Sequence, residues 1–538
     1  MATIITILEA TAHAQRIERA TVAAGGLEAN GNSGPGNASR DGRYVIFGSR
    51  ATNLVPGDMN GWMDVFVRDR VTDQTTRVSI SSSGIEGDHD SYATAVSADG
   101  RFACFTSYAS NLVPGDTNGR SDVFVHDLAS GITTCVSVGS NGAQGIGDSW
   151  GDDMSQDGRY VLFDSSSPNL VPNDKNGVQD VFLHDRQTAR TSRVSIDSSG
   201  VEGDDGSAWG SLSDDGRFAT FTSWATNLVA GDANRATDAF VHDTVTHRTI
   251  VASTDSNGVQ GNGNSFPRSI SADGRFVAFA SEASNLVQSD ANLETDVFVH
   301  DLFTGATEIA SVSSEGLQGN DRSYYPAMSA DGRYVVFHSF AKNLVPDDTN
   351  RAIDVFLHDR LTGETVRASV DWMGQENIDD SSYPSISRDG QTVVFSTGGQ
   401  LVPDDTTAMD DVYVYDRLRV ALNGAPRPHS PVNFTVTHAS PRFSGHLALI
   451  LLSCSGTDPL PLPGGAVVYL TFDPCTYLAL ELHELLMGII DGAGTAQTPL
   501  FSLPDVAPGT MIFAGAVAVD PVSGTVDSTS APIWFLTQ

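Results

Sequence analysis

The chain has 538 residues, with 66 Asp and Glu against 31 Lys and Arg and a formal net charge of −35. That balance excludes a nucleic-acid partner, which needs a basic surface, and docking on anionic lipid; it suits a soluble exported protein. No apolar run is long enough for a spanning helix, Leu447–Leu452 falling far short, so no membrane insertion is expected.

Residues 1–14 read as a degenerate signal peptide or a disordered N-terminus. Ala12-His13-Ala14 fits a small-x-small cleavage pattern, but Glu9 interrupts the apolar stretch and no basic segment precedes it. A unit of 58 residues then repeats without insertion or deletion, marked by Asp41-Gly42-Arg43, Asp99, Asp157, Asp215, Asp273 and Asp331, and ending at Asp389-Gly390-Gln391. A fixed period of this kind signals a repeat architecture, in which a residue type present in every copy is first suspected of holding the repeat together.

Within the unit, short runs rich in Val, Phe and Tyr are bounded by Gly, Asp, Asn and Ser, which predicts four strands, a to d. In one copy these are Tyr325–Ser329, Tyr334–Phe337, Val355–Leu357 and Thr365–Ser369, with a tight turn at Asp-Gly-Arg between a and b. Four antiparallel strands per repeat predict a propeller blade. The last copy supplies only a, b and c, whereas Ile17–Val22 aligns with the d strand of the first full copy. Residues 15–420 are 406 residues, seven repeat lengths. The expectation is therefore an all-β chain, with a seven-bladed β-propeller over 15–420 closed by its N-terminal strand.

Pro426, Pro428 and Pro431 mark a linker over 421–431. Beyond it, Val432–Val436, Leu447–Leu452, Ala466–Phe472, Met511–Val519 and Ile533–Leu536 predict a small β-sandwich over 432–538, with Leu478–Ile490 as an alternative short helix. Cys104 and Cys135 fall on strands b and d of one blade, about 9–10 Å apart and too far to bridge. Cys454 and Cys475 fall on neighbouring predicted strands, where a bridge is one of two open readings.

The unit S-x-D-G-R-[YF]-x-x-F followed by D-V-F-V-x-D resembles the TolB-type, WD-repeat-like (PD40-like) propeller repeats of exported bacterial proteins, over about three quarters of the chain. TolB's own propeller is usually described with six blades and a different leading domain, so the resemblance supports the blade rather than TolB's role. It implies a secreted, periplasmic or cell-surface location.

Each b–c loop carries Asp-x-Asn-x-x-x-Asp: Asp58/Asn60/Asp64, Asp116/Asn118/Asp122, Asp174/Asn176/Asp180, Asp232/Asn234/Asp238, Asp290/Asn292/Asp296 and Asp348/Asn350/Asp354, with Asp405/Thr407/Asp411 in the seventh copy. Oxygen ligands on a tight loop suit Ca²⁺, although the EF-hand Gly and closing Glu are absent. The competing reading is that these side chains cap the loop's own backbone. No cofactor is required; Ca²⁺ is the one such loops would take. The strand-c histidines His126, His184, His242, His300 and His358 read as packing residues. Gly147-Asp148-Ser149-Trp150-Gly151 matches G-x-S-x-G, but Ser149 belongs to a repeat series and lacks the strand-to-helix context of a nucleophile elbow.

One region varies between copies. Tyr92, Trp150, Trp209, Phe266, Tyr324, Tyr325 and Tyr383 are expected just before strand a, and Trp224 after strand b. Strand order puts the b–c and d–a loops on one face, so these aromatics are the candidate ligand-binding residues. The leading expectation is a monomeric, non-enzymatic exported propeller that binds a protein or envelope glycan through this face. The alternatives are a hydrolase or lyase with an axial-channel site, and a calcium-stiffened structural surface protein. His89, Arg268 and Arg322 break the repeat but make no constellation in sequence.

Overall fold

A computed structural model describes residues 14–423 and, beyond them, the strand segments named below. It holds seven four-stranded blades and no helices among the described residues. Each blade runs a, b, c, d in antiparallel order. In blade 2 these are Ser91–Val96, Phe102–Ser107, Asp122–Asp127 and Ile132–Cys135. Strand a of blades 1 and 3 to 7 is Ser33–Ala38, Ser149–Met154, Ser207–Leu212, Ser265–Ile270, Ser323–Met328 and Ser381–Ile386. Strand a thus begins two residues before Tyr325, and the candidate aromatics of this region lie inside it rather than ahead of it.

The periodic motif builds the turn face, where the a–b and c–d turns lie. In Ser-x-Asp-Gly-Arg, the Ser97 hydroxyl donates to Asp99 (2.7 Å) and accepts from the Phe102 amide (2.9 Å), while Asp99 accepts from the Arg101 amide (3.0 Å). Gly100 has φ +70°, and a Cβ there would overlap the Tyr44 ring of the preceding blade. Only glycine meets both demands. Arg101 donates two hydrogen bonds to Asp127, the last residue of strand c (3.0 and 2.8 Å), and its guanidinium lies 4.7 Å from the centre of the Phe102 ring. The same bidentate pair recurs as Arg43–Asp69, Arg159–Asp185, Arg217–Asp243, Arg275–Asp301 and Arg333–Asp359.

The core lies between blades. Val65 and Val67 of blade 1 pack with Ala103, Phe105 and Phe124 of blade 2, and Phe105 stacks on Phe124 at 5.7 Å. The strand-c histidines are buried struts: His126 Nδ1 meets the Thr133 hydroxyl at 2.9 Å, and Thr133 donates to the Ile80 carbonyl of the previous blade. Burial holds His126 below its ordinary pKa, hence neutral, as a packing role requires. Cys104 and Cys135 are free, and burial pushes both thiols up to about 12.

The ring closes through the N-terminal strand. Ala14–Arg19 pairs with strand c of the last blade, the Ala20 amide donates to the Val412 carbonyl (2.8 Å), and Thr21 donates to Asp411. Val78 and Ser79 make the corresponding bonds to Val65 and Asp64 in blade 1.

This propeller forms one compact unit, Arg19–Asp371 with Gln375–Val414. Most of the chain beyond it belongs to a second. There the five predicted runs overlap strands at Pro431–His438, Leu447–Ser453, Val467–Tyr469, Met511–Val519 and Ile533–Leu536; Leu447–Ser453 pairs with Met511–Val519. The packing of a sandwich, the 421–431 linker beyond Asn423, most of the alternative helix, Cys454, Cys475 and residues 1–13 lie outside the described residues.

Candidate functional site

On the loop face the Asp-x-Asn loops are brought together with the next d–a loop. Asn60 donates to Asp64 (2.9 Å) and to the Gly87 carbonyl (3.0 Å), and accepts from the Trp62 amide (2.9 Å), which is an Asx-turn with a cross-link. The other five asparagines repeat it. Asn118, Asn176, Asn234 and Asn350 donate to the closing Asp122, Asp180, Asp238 and Asp354 at 2.7, 3.0, 3.0 and 3.0 Å. Together with Asn292, they also donate to a d–a loop carbonyl, that of Gly145, Gly203, Gly261, Asn377 or, for Asn292, Gly319. The side-chain oxygens of Asn118, Asn176, Asn234, Asn292 and Asn350 accept from the amides of Arg120, Val178, Ala236, Glu294 and Ala352.

These are the bonds of the backbone-capping reading of Asn60, Asn118, Asn176, Asn234, Asn292 and Asn350. Each amide turns its oxygen to the loop's own backbone and its N–H₂ toward the acid or the next loop.

The aspartates of these loops are held by a second set of donors. The carboxylates of Asp58, Asp64 and Glu86 gather within 4.8 Å, and the Arg77 guanidinium of strand d reaches all three at 3.3, 3.2 and 2.7 Å. Arg193 does the same with Asp174, Asp180 and Glu202, and Arg367 with Asp348, Asp354 and Glu376. In blade 7, Arg19 meets Glu28, Asp405 and Asp411.

Where strand d carries Cys135, Val251 or Ile309 instead, the d–a residue is Gln144, Gln260 or Gln318. Gln144 then donates to Asp116 and Asp122 (both 2.8 Å), and Gln318 to Asp290 and Asp296 (2.9 and 2.7 Å). Gln260 donates to Asp238 (2.7 Å), whose pKa the neighbouring charge of Asp232 helps to raise. Arg travels with Glu, and an uncharged residue with Gln. A donor from the chain itself, Arg or Gln, thus lies among these oxygens. The pairing is visible in the sequence once the copies are aligned, and it was missed there. The acids still bear a cost, since burial pushes Asp58, Asp238, Asp296 and Asp348 up to about 6.

The predicted aromatics fall into two groups. Tyr92 and Trp150 pack at 5.6 Å, joined by Tyr108, which is 5.8 Å from Trp150 and 5.6 Å from His89; His89 stacks on Trp62 at 4.4 Å. The second group spans blades 4 to 7. Trp209 meets Trp224 at 5.9 Å and Phe266 at 6.2 Å; Tyr325 meets Tyr383 and His338, each at 5.1 Å; Tyr324 meets His338 at 6.1 Å. Trp209, Trp224, Tyr325 and Tyr383 remain 40, 42, 36 and 47 % exposed.

Strand a, the innermost, carries a bulge in every blade. In blades 4, 6 and 7 two residues bulge, and the first is Trp209, Tyr325 or Tyr383 at φ +56°, +52° and +52°. A large residue in this left-handed region costs roughly 1 kcal/mol or more. In blades 2, 3 and 5 a single residue is extruded: Thr94, Asp152 or Arg268. Asp152 and Arg268 thus occupy one repeat position and line the same axial cavity.

Asp152 faces Asp164 of strand b as a hydrogen-bonded carboxyl pair; burial and the mutual charge raise Asp152 well above its usual range, and burial raises Asp164 to about 6. Asp164 also accepts from Gln179 and from the Trp209 amide (3.4 Å), while Asp152 Oδ2 is shielded and without a partner. The Arg268 guanidinium lies 4.8 Å from the Tyr325 ring centre and 5.4 Å from that of Trp209, and makes no hydrogen bond or ion pair among the described residues. His338, on strand b of blade 6, is pushed down to about 4 by burial and so stands as a neutral imidazole.

Toward the turn face the cavity is crossed by Arg388, the variable residue of the last Ser-x-Asp-Gly motif. It pairs with Asp214 (2.9 Å) and donates to the Leu212 and Ile270 carbonyls (3.1 Å each). The enclosed volume is about 190 Å³. Sequence reasoning missed Asp152, Asp153, Asp164 and Arg388. The available signal was Ser-Trp-Gly-Asp-Asp-Met at 149–154, two acids in a strand that is otherwise small or apolar. Ser149 is fully buried with its hydroxyl 2.8 Å from that of Ser165, the repeat role expected of it.

No protein-family model matches the chain, and no curated protein matches it. Among solved structures it is similar to TolB from Agrobacterium tumefaciens, at 15% identity over 60% of this chain and 96% of that one, with a TM-score of 0.34. It is also similar to the WD40 repeats of RRP9, at 8% identity over 75% and 97%, with a TM-score of 0.40. The chain's own strand order shows a seven-bladed β-propeller. Among the described residues no helix is long and apolar enough to cross a membrane.

Proposed function

We propose that the chain is an exported, non-enzymatic binding module that holds a protein or envelope glycan on its b–c and d–a loop face. The observation that carries this reading is the set of exposed aromatics Trp209, Tyr325 and Tyr383, each at a left-handed backbone angle. Strain of this kind persists where the surroundings enforce it, and it clusters at functional sites. Exposed Trp and Tyr are also the side chains that anchor partners. The rival reading, an axial hydrolase or lyase, draws on Asp152 and Asp164. These acids touch each other, whereas glycosidase carboxyls stand roughly 5–9.5 Å apart across the bond they break.

The test is a binding screen of the whole protein against arrays of bacterial envelope glycans and envelope peptides, with the Trp150, Trp209 and Trp224 triple alanine variant alongside. Specific binding that the variant loses supports the reading. No saturable binding to either class, or binding that survives the variant, overturns it.

A further inference from the structure

The axial cavity is lined by strand a of all seven blades. Arg388 bars its turn-face end by spanning from blade 7 to Leu212 of blade 4 and Ile270 of blade 5. Its volume of about 190 Å³ is of the order of the roughly 150 Å³ cavity that holds one benzene ring, which is room for one small ring. On its wall stand two extruded polar groups with capacity to spare. Arg268 has its donors free and its flat faces against Tyr325 and Trp209. Asp152 has an oxygen without a partner, beside Asp164.

The charge of the cavity selects among ligands. Asp152 and Asp153 bring negative charge to the cavity wall, and Arg268 and Arg388 bring positive charge. A cation would meet Arg268; an anion would meet the acid pair within a protein of net charge −35. A polyol avoids both conflicts, because each hydroxyl donates to a carboxylate while accepting from a guanidinium N–H. The apolar face of a sugar ring also matches the partly exposed ring of Tyr325, which lines the cavity.

We propose that this cavity is a subsite for one neutral sugar ring, the terminal unit of a glycan, held by Asp152 and Arg268 and stacked against Tyr325. The proposal rests on the reading of the loop face as a binding face, and it chooses glycan over protein for the axial position.

The probes are neutral hexoses and 6-deoxyhexoses as methyl glycosides, with glucosamine and glucuronate as charged counterparts, followed by saturation-transfer NMR and tryptophan fluorescence up to tens of millimolar. We expect saturable binding of at least one neutral sugar. Asp152→Asn and Arg268→Met should each weaken it by about tenfold or more, as loss of a hydrogen bond to a charged group does, with unchanged melting curves. Should Arg268→Met fail to fold, Asp152→Asn and Arg268→Lys carry the test. Binding by no neutral sugar, tighter binding of a charged counterpart, or a neutral sugar indifferent to these variants overturns the proposal. A ligand from the envelope screen that needs the tryptophans but ignores Asp152 and Arg268 also overturns it, while leaving the binding face intact.

Discussion

Strand c ends in a carboxylate at both faces of the disc, and the two ends meet opposite fates. At the turn face Asp127, Asp185, Asp243 and Asp301 each receive a bidentate arginine from Asp-Gly-Arg, which holds them well below the ordinary carboxylate range. At the loop face Asp122, Asp180, Asp238 and Asp296, the first residues of the same strands, are buried among other acids and raised by that burial. The first arrangement repeats nearly unchanged and fixes the blade. The second is patched copy by copy, with Arg and Glu in some blades and Gln in others, and it adjoins the strained aromatics and the extruded Asp152 and Arg268. The regular face repeats the bonds that specify the fold; the irregular face adjoins polar groups that the fold leaves unmet.

The largest effect should come from opening the ring at the loop-face patch of blade 7. Removing residues 1–24 deletes Arg19 from its buried acids and exposes an edge, at a cost on the order of 3–5 kcal/mol, as for other buried pairs that lose a partner. Denaturant unfolding checks this; an unchanged midpoint would contradict the closure.

Next is the pH profile, in which the two faces pull apart. The turn-face acids have folded pKa values below their unfolded ones, so their contribution is present above about pH 4 and is lost as pH falls. Asp58, Asp238, Asp296 and Asp348, raised to about 6, and Asp411, raised to about 7, act with the opposite sign. The folded state binds their protons more tightly, so their contribution declines as pH rises from about 4 toward 6–7. Over that interval the buried histidines His184, His242 and His338, pushed down to about 4, act in the opposite direction, because the unfolded chain binds their protons more tightly. The melting temperature should therefore change little between about pH 5 and 7 and fall steeply below about pH 4; a melting temperature that holds down to about pH 3 would contradict the turn-face pairs.

A smaller effect is expected from Arg333→Ala on the turn face, about 1 kcal/mol from a partly exposed bidentate pair with Asp359. It should leave binding at the loop face untouched. The smallest effect concerns calcium. Because Arg77, Arg193 and Arg367 already sit among the loop carboxylates, and the loop asparagines point N–H donors at them, EDTA or millimolar Ca²⁺ should leave the melting curve in place; a rise with Ca²⁺ would revive the metal reading of these loops.

What repeats was legible in the sequence. Asp-Gly-Arg, the strand-c Asp and the in-register N-terminal strand led to seven blades and their closure, because each is written at a fixed spacing. The Asp-x-Asn loops were legible as a pattern but not in their direction, since a sequence does not say which end of an asparagine amide meets the acid. What departs from the repeat was legible only in part. The aromatics of strand a stood out by size, but their left-handed backbone did not, since a bulge leaves the period intact. Arg268 was noted as an oddity without partners. Its meeting with Asp152 depends on both being extruded from the innermost strand, two blades apart, and the 58-residue register places them at one repeat position without saying that this position points to the axis. Arg388 stood at the variable place of a turn motif, where a surface side chain was the natural reading.

The division of labour between the faces is tested most directly by two triple variants measured for both stability and binding. One replaces Trp150, Trp209 and Trp224 with alanine, the other Arg43, Arg159 and Arg333. The account predicts that the tryptophan variant melts like the parent and loses its glycan or peptide ligand, each anchor contributing about 2 kcal/mol. The arginine variant should melt earlier and bind as before. A tryptophan variant that binds normally while the arginine variant does not would contradict the account.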